Sequence, residues 1–216
     1  MPIMPRLDPA FLPTETNEAG PAIAESTAHR LSRFLQKPLH DKFLVVWPRI
    51  RNFLYRIFPF AVIPIKLPGG QWWLACTDVC SSAIISGTYD LAERACVGTY
   101  LRPGMTFIDI GAHHGLYTLL ASRMVKETGR VVAFEPSPRE RRRLRKHVWI
   151  NRCANVRIEE FALGKAPGLD HLYVVRGRET GCNSRRPPVN AGTTTLLPVR
   201  VTSLDEYCRA NLIGTV

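Results

Sequence analysis

The sequence predicts an α/β fold: a Rossmann-like parallel sheet with flanking helices. Two stretches carry that expectation. Phe107-Ile108-Asp109-Ile110 is a short apolar strand that runs through Gly111-Ala112-His113-His114-Gly115 into an apolar helix. After a break at Gly129, Val131-Val132-Ala133-Phe134 is a second apolar strand, closed by Glu135-Pro136. Strand, glycine-bearing turn, helix and a second strand ending in an acid is the layout of a nucleotide-type cofactor site at the carboxyl edge of a parallel sheet.

The remaining elements follow in order. Residues 1–25 carry Pro2, Pro5, Pro9, Pro13 and Pro21 with little apolar periodicity and read as a flexible tail. Residues 26–80 read as N-terminal helices and a hairpin. A short helix is expected from about Thr27 to Gln36, and a sharper one between Pro48 and Pro59. In the second, Ile50, Phe53, Leu54, Ile57 and Phe58 recur at helical spacing, with Arg49, Arg51 and Arg56 on the other side. Packing on the main domain is the favoured reading of this helix, and peripheral contact with an anionic membrane through residues 48–58 is the other. Arginines interrupt its apolar run too early for it to span a bilayer. Ala61 to Lys66 and Gln71 to Thr77 read as strands joined through Pro68-Gly69-Gly70.

Residues 81–216 read as a partial cofactor-binding domain. Asp90 is expected to cap a helix to about Tyr100, with Leu91, Ala95 and Cys96 inward. The helix after Gly115 presents Leu116, Leu119, Leu120 and Met124. Arg130 to Phe134 is the second strand, Pro138 to about Arg152 a helix, and Asn155 to Glu160 the third strand. Strands at His171 to Val175 and Pro198 to Val201 bracket a polar loop, and Ser203-Leu204-Asp205-Glu206 is a capping box for a last helix.

The composition bounds the partners. The chain has 216 residues, 45% of them hydrophobic, which suits one full core. Lys and Arg number 29 against 18 acids, a net charge of +11, which favours anionic partners. The basic run Arg139, Arg141, Arg142, Arg143, Arg145, Lys146 lacks an aromatic stacking set and reads as a solvated helix face, so no nucleic-acid partner is expected. No apolar leader opens the chain, and the six scattered cysteines suit reduced thiols, with Cys96 and Cys153 partly buried; a cytoplasmic protein is expected. Cys76-x-x-x-Cys80 has the wrong spacing for a zinc knuckle, and no metal site is expected.

The chemistry of the turn points to one cofactor class. Gly111 lets the backbone approach a ligand, and Gly115 permits close entry of the helix, whose amino end favours ligand oxygens. Glu135 can accept hydrogen bonds from ribose hydroxyls. The glycines are spaced G-x-x-x-G, not G-x-G-x-x-G, and Asp109 lies inside the turn motif. That acid would repel a pyrophosphate but attract the ammonium and sulfonium of S-adenosyl-L-methionine. His113 is expected to contact the cofactor and His114 to pack or face solvent. Of Glu159 and Glu160, either one approaches the adenine or both face water.

Several motifs occur in order: Gly87-Thr88-Tyr89-Asp90, Leu101-x-Pro103-Gly104, Asp109 to Gly115, Phe134-Glu135-Pro136, Leu144 to Asn151, Ala162-Leu163-Gly164 and Val201-Thr202-Ser203-Leu204-Asp205. Together they resemble the FkbM-type family of S-adenosylmethionine-dependent methyltransferases over roughly residues 80–210. The resemblance implies a class I methyltransferase fold and O-methyl transfer to a hydroxyl of a sugar, glycan or natural product. It also implies cofactor contacts from Ala112, Pro136 and Ala162 besides Asp109, Gly111, His113, Gly115 and Glu135. His113 and His147 stand where the family often has Asn. The family continues into a fourth strand with an Asp-x-Glu-Gly segment not found before Val216, so C-terminal strands are expected to be missing and the first strand to show an open edge. No catalytic base is identifiable. A non-catalytic binding or membrane-surface module is the alternative, and an NAD-dependent oxidoreductase is disfavoured by the glycine spacing.

Overall fold

The computed structural model describes residues 50, 53, 57, 58, 62–67, 69–87, 89–177, 180–188 and 193–214. The expected tail and the helix from Thr27 to Gln36 lie outside these. The chain divides into two compact units, Met1–Phe53 and Leu54–Val216. The hairpin lies in the second unit. Every element below lies in the second unit.

Strands β1 (Ile63–Lys66) and β2 (Trp72–Ala75) pair antiparallel, Lys66 opposite Trp72. Alternation sets their faces: Trp73 and Ala75 are fully buried while Trp72 is 42% exposed. Helix α1 (Val79–Ser86) was not foreseen. Its segment is apolar without a polar face, so helical periodicity is silent there. The signals lay at its ends. Asp78 accepts the Ser81 N–H as N-cap, and Gly87 closes the helix at φ 75°.

Helix α2 (Leu91–Tyr100) occupies the expected span with the opposite facing. Leu91, Ala95 and Cys96 are exposed, and the half-buried residues are Arg94, Val97 and Gly98. The inward side of the helix meets Met124 at Gly98. Asp90 does not cap it either: its carboxylate accepts the Tyr117 hydroxyl at 3.0 Å. Cys96 is accordingly exposed, Cys153 is partly buried as expected, and all six thiols are free.

The central sheet is β3 (Thr106–Ile110), β4 (Arg130–Phe134) and β5 (Val156–Glu159), parallel and in the order β3-β4-β5. Helix α3 (Leu116–Val125) follows β3, and α4 (Pro138–Ile150) follows β4. Val131, Val132, Ala133 and Phe134 are all at most 1% exposed, as a strand covered on both faces requires. The two faces separate by alternation. Val131 packs with Ala121 and Val125 of α3, and Ala133 with Ala112 and with Leu144 of α4. Val132 and Phe134 face the other way, onto Tyr207. Strand β3 has β4 as its one neighbour among the described residues, and Ile110 at its end is 60% exposed.

The alternation of strand and helix then stops, as expected. Strands β6 (Ala162–Leu163), β7 (Gly168–Val175) and β8 (Thr194–Thr202) form a second sheet in the order β6-β8-β7. Strand β8 starts earlier than expected, and a 3-10 turn at Thr180–Cys182 interrupts the expected loop. Helix α5 (Leu204–Ala210) begins at Ser203, whose hydroxyl accepts the Glu206 N–H. It delivers Tyr207 to the central sheet, edge-on to Phe134.

Among the described residues no helix is long and apolar enough to cross a membrane. Ile50, Phe53, Ile57 and Phe58 are 45–62% exposed.

Candidate functional site

The carboxyl ends of β3 and β4 hold the turn that the sequence singled out. Gly111 and Ala112 both donate their N–H to the Phe134 carbonyl at 3.0 Å, which ties the turn to the end of β4. The two glycines have different reasons. At Gly115 (φ 93°) an added Cβ would sit 2.4 Å from Leu144 Cδ1, so helix entry against α4 requires its absence. At Gly111 (φ 76°) an added Cβ meets nothing within 4 Å: the backbone angle needs glycine, and the turn is open on that side.

Glu135 is the electrostatic centre. One carboxylate oxygen accepts the His113 N–H at 2.7 Å and the other the Ser137 N–H at 2.8 Å, so the acid bridges the glycine turn and the loop leaving β4. Arg141 braces the same loop, donating to the carbonyls of Glu135 and Pro136. Burial pushes the Glu135 carboxyl up to about 7, against the pull of the two backbone donors.

Asp109 also converges here but is turned inward. It is 8% exposed and accepts the Thr118 hydroxyl, and burial raises its pKa despite that bond. Its carboxylate joins β3 to the first turns of α3 instead of facing the open side of the turn. Thr118 was not anticipated; its placement on the first turns of the helix after the motif was the available signal.

The adjacent histidines divide as expected in part. His113, half-buried at φ 51°, stacks on His114 with ring centroids 3.7 Å apart. His114 is 3% exposed, a packing residue and not a surface one; burial above all lowers its pKa to about 2. Behind it stands His147, fully buried and stacked on Trp73 at 4.0 Å. His147 Nε2 accepts the Leu74 N–H at 2.9 Å and Nδ1 bonds the His114 carbonyl at 2.6 Å, which fixes the neutral Nδ1–H tautomer. One turn on, Asn151 exchanges two hydrogen bonds with the Trp72 backbone. Helix α4 thus grips strand β2 with side chains at i and i+4 and hands the strand to the cofactor turn. The sequence showed His147 only as a departure from Asn.

Ala162 is buried among Leu172, Val174, Val199 and Val201, so its side chain serves the second sheet. Glu159 is buried, whereas Glu160 is exposed. Glu159 accepts the Tyr207 hydroxyl at 2.7 Å and pairs with Arg157. Glu160 pairs with Arg200 at 2.6 Å and Arg141 at 3.5 Å, and the Arg200 bond above all lowers its pKa. A cavity of about 260 Å³ lies beside that pair, lined by Pro136, Pro138, Arg141 and Arg200. Another cavity, of about 750 Å³, lies at the opposite end of the sheet around Ser122, Lys126 and Asn155 and takes no part in this site.

The basic run of α4 is not uniformly solvated. Arg141 is buried, Arg143 lies 3.7 Å from Asp78, and Arg139 pairs with a fully buried Glu140. Arg142, Arg145 and Lys146 remain exposed.

These residues fit S-adenosyl-L-methionine by two observations: an acid at the end of β4 hydrogen-bonded to the glycine turn, and open space on the Gly111 side. The Methyltransferase FkbM domain matches residues 109–215. No curated protein matches the chain. Among solved structures the chain is similar to a SAM-dependent methyltransferase from Aquifex aeolicus, at 26% identity over 35% of this chain and 41% of that one, TM-score 0.31. It is similar to Aeropyrum pernix fibrillarin in complex with natively bound S-adenosyl-L-methionine, at 18% identity over 47% and 52%, TM-score 0.30. A third is Methyltransferase FkbM from Methylobacillus flagellatus, at 13% identity over 58% and 31%, TM-score 0.30. The chain spans 31–52% of the lengths of these three proteins.

Proposed function

With residues 109–215 belonging to the FkbM methyltransferase family, we propose that this protein binds S-adenosyl-L-methionine and transfers its methyl group to a hydroxyl of a sugar, glycan or natural product. The observation that carries the cofactor assignment is Glu135, whose carboxylate holds the His113 N–H of the turn and keeps acceptor capacity for ribose hydroxyls. The cofactor's sulfonium carbon supplies the methyl: a C–O bond forms as the C–S bond breaks, S-adenosylhomocysteine leaves, and the hydroxyl proton passes to solvent or a base. The chain's own residues orient. Asp109 and Thr118 lock the start of α3 to β3, and His147 and Asn151 hold β2 behind the turn. Gly111 keeps one side of the turn open for the ligand.

Calorimetry with S-adenosylhomocysteine and NAD tests the assignment. S-adenosylhomocysteine is expected to bind and NAD to bind far more weakly, since the G-x-x-x-G spacing of the turn departs from the pattern that cradles a pyrophosphate. Tighter binding of NAD would overturn it.

A second reading rests on the exposed Ile50, Phe53, Ile57 and Phe58. With arginines between them in the sequence, they suit peripheral attachment to an anionic membrane. Hydrogen exchange should show new protection over residues 48–58 on adding vesicles that contain phosphatidylserine, and none with neutral vesicles. Unchanged exchange with both would remove this reading.

A further inference from the structure

Beside the cofactor turn, three different metal-ligand types meet. Cys76 and Asp78 come from the connection between β2 and α1, and His114 from the turn itself. Their ligand atoms all lie within 4.8 Å of one another. Asp78 and His114 are 4% and 3% exposed. His114 Nδ1 is buried and has no hydrogen-bond partner among the described residues. A buried ring nitrogen left without a partner is costly, and such a group rarely occurs without reason.

We propose that Cys76, Asp78 and His114 bind a zinc-class divalent cation. The donor set decides the class. A thiolate disfavours magnesium and calcium, whereas sulfur, nitrogen and carboxylate oxygen together suit Zn²⁺ at bond lengths of about 2.0–2.3 Å. Tetrahedral ligation at those lengths places ligand atoms about 3.3–3.8 Å apart, so the Cys76 thiol and the Asp78 carboxylate, which touch in the structure, part to admit the ion. The fourth position falls beside the Ser81 hydroxyl, which touches Asp78 at 2.8 Å and Cys76 Sγ at 3.5 Å and can steady a bound water.

In the structure the Arg143 guanidinium touches Cys76 and lies 3.7 Å from Asp78, supplying the positive charge. Its side chain is 25% exposed, so it has a route to solvent when a dication takes over that role. Cysteine spacing carries no signal for this site. Its donors are one cysteine, one helix cap and one turn residue, joined across the fold. The bound ion would tie the segment after β2 to the residue next to His113, whose N–H Glu135 holds.

The test uses the full chain, reduced and stripped with a chelator, titrated with Zn²⁺ against a chromophoric chelator. One equivalent is expected to bind, at least tenfold more weakly in Cys76→Ser and in Asp78→Asn. The asparagine keeps an acceptor for the Ser81 N–H, so the cap survives. Cys96→Ser, at an exposed thiol, should bind like the unmodified chain. Arg143→Gln is the discriminating variant: removal of the competing cation should tighten Zn²⁺ binding several-fold. Co²⁺ should give a thiolate-to-metal charge-transfer band that Cys76→Ser abolishes. Absence of uptake would overturn the proposal. So would uptake that is unchanged in Cys76→Ser and Asp78→Asn, weaker binding in Arg143→Gln, or a Co²⁺ spectrum with no thiolate band.

Discussion

Replacing His147 with leucine is expected to destabilise the fold by about 2–6 kcal/mol, because it leaves two backbone groups unpaired at about 1–3 kcal/mol each. These are the Leu74 N–H and the His114 carbonyl. Loss of the stack on Trp73 adds to the effect. Urea unfolding in chelator-treated buffer measures it, and a change below about 1 kcal/mol would show that the histidine does not hold β2. The pH dependence has a definite sign. Burial lowers the folded His147 pKa to about 4, against about 6.5 in an unfolded chain. Below 6.5 the unfolded chain takes up a proton that the folded one refuses. The stability held by neutral His147 is therefore complete above pH 6.5 and lost as pH falls toward 4, in total about 3 kcal/mol. The leucine variant lacks that loss, so the gap between the two proteins should narrow on acidification. His114 titrates in both and cancels. A gap constant from pH 7 to pH 4.5 would refute the assignment of a neutral ring.

Glu135→Ala should weaken S-adenosylhomocysteine binding by about 1–3 kcal/mol, the range for donors deprived of a charged acceptor. Calorimetry gives the number. Glu127, exposed on the connection before β4, is the proper control; Glu140 is not, because it is fully buried on Ser137 and Arg139. The proton linkage runs opposite to that of His147. Burial raises the folded Glu135 pKa to about 7, above the unfolded 4.5. Stability linked to its neutral form is present below 4.5 and lost as pH rises through 7. Ribose hydroxyls donate best to the ionised form, so ligand affinity should climb by up to about tenfold per pH unit below 7 and level off above it. Glu135→Gln should flatten that profile. An unaltered slope in the glutamine variant would mean that another group titrates.

The parts legible in the sequence share one property: their signal is local. Strands β3, β4 and β5 are short apolar runs bounded by glycine, proline or acid, and their spans came out within a residue or two. The glycine turn and Glu135 were legible because a left-handed backbone at Gly111 and Gly115 admits almost nothing else, and because an acid that ends an apolar strand has few structural reasons to be there. The capping box at Ser203 was legible for the same reason.

What the tertiary structure decided depends on contacts between distant segments. Helix α2 carries Leu91, Ala95 and Cys96 outward, and no periodicity within ten residues can report which side meets the rest of the fold. Asp109 was read as a ligand group, yet Thr118 captures it inside the fold. His147 became a structural clamp only because β2, 73 residues earlier, presents a free backbone N–H to it. Cys76, Asp78 and His114 meet for the same reason, brought together by the hairpin packing on Leu119 and by α4 holding β2. Backbone conformation and strand burial are written in neighbouring residues. The partner of a buried polar side chain is chosen by desolvation, which makes each such group bond to whatever the packed chain places within reach.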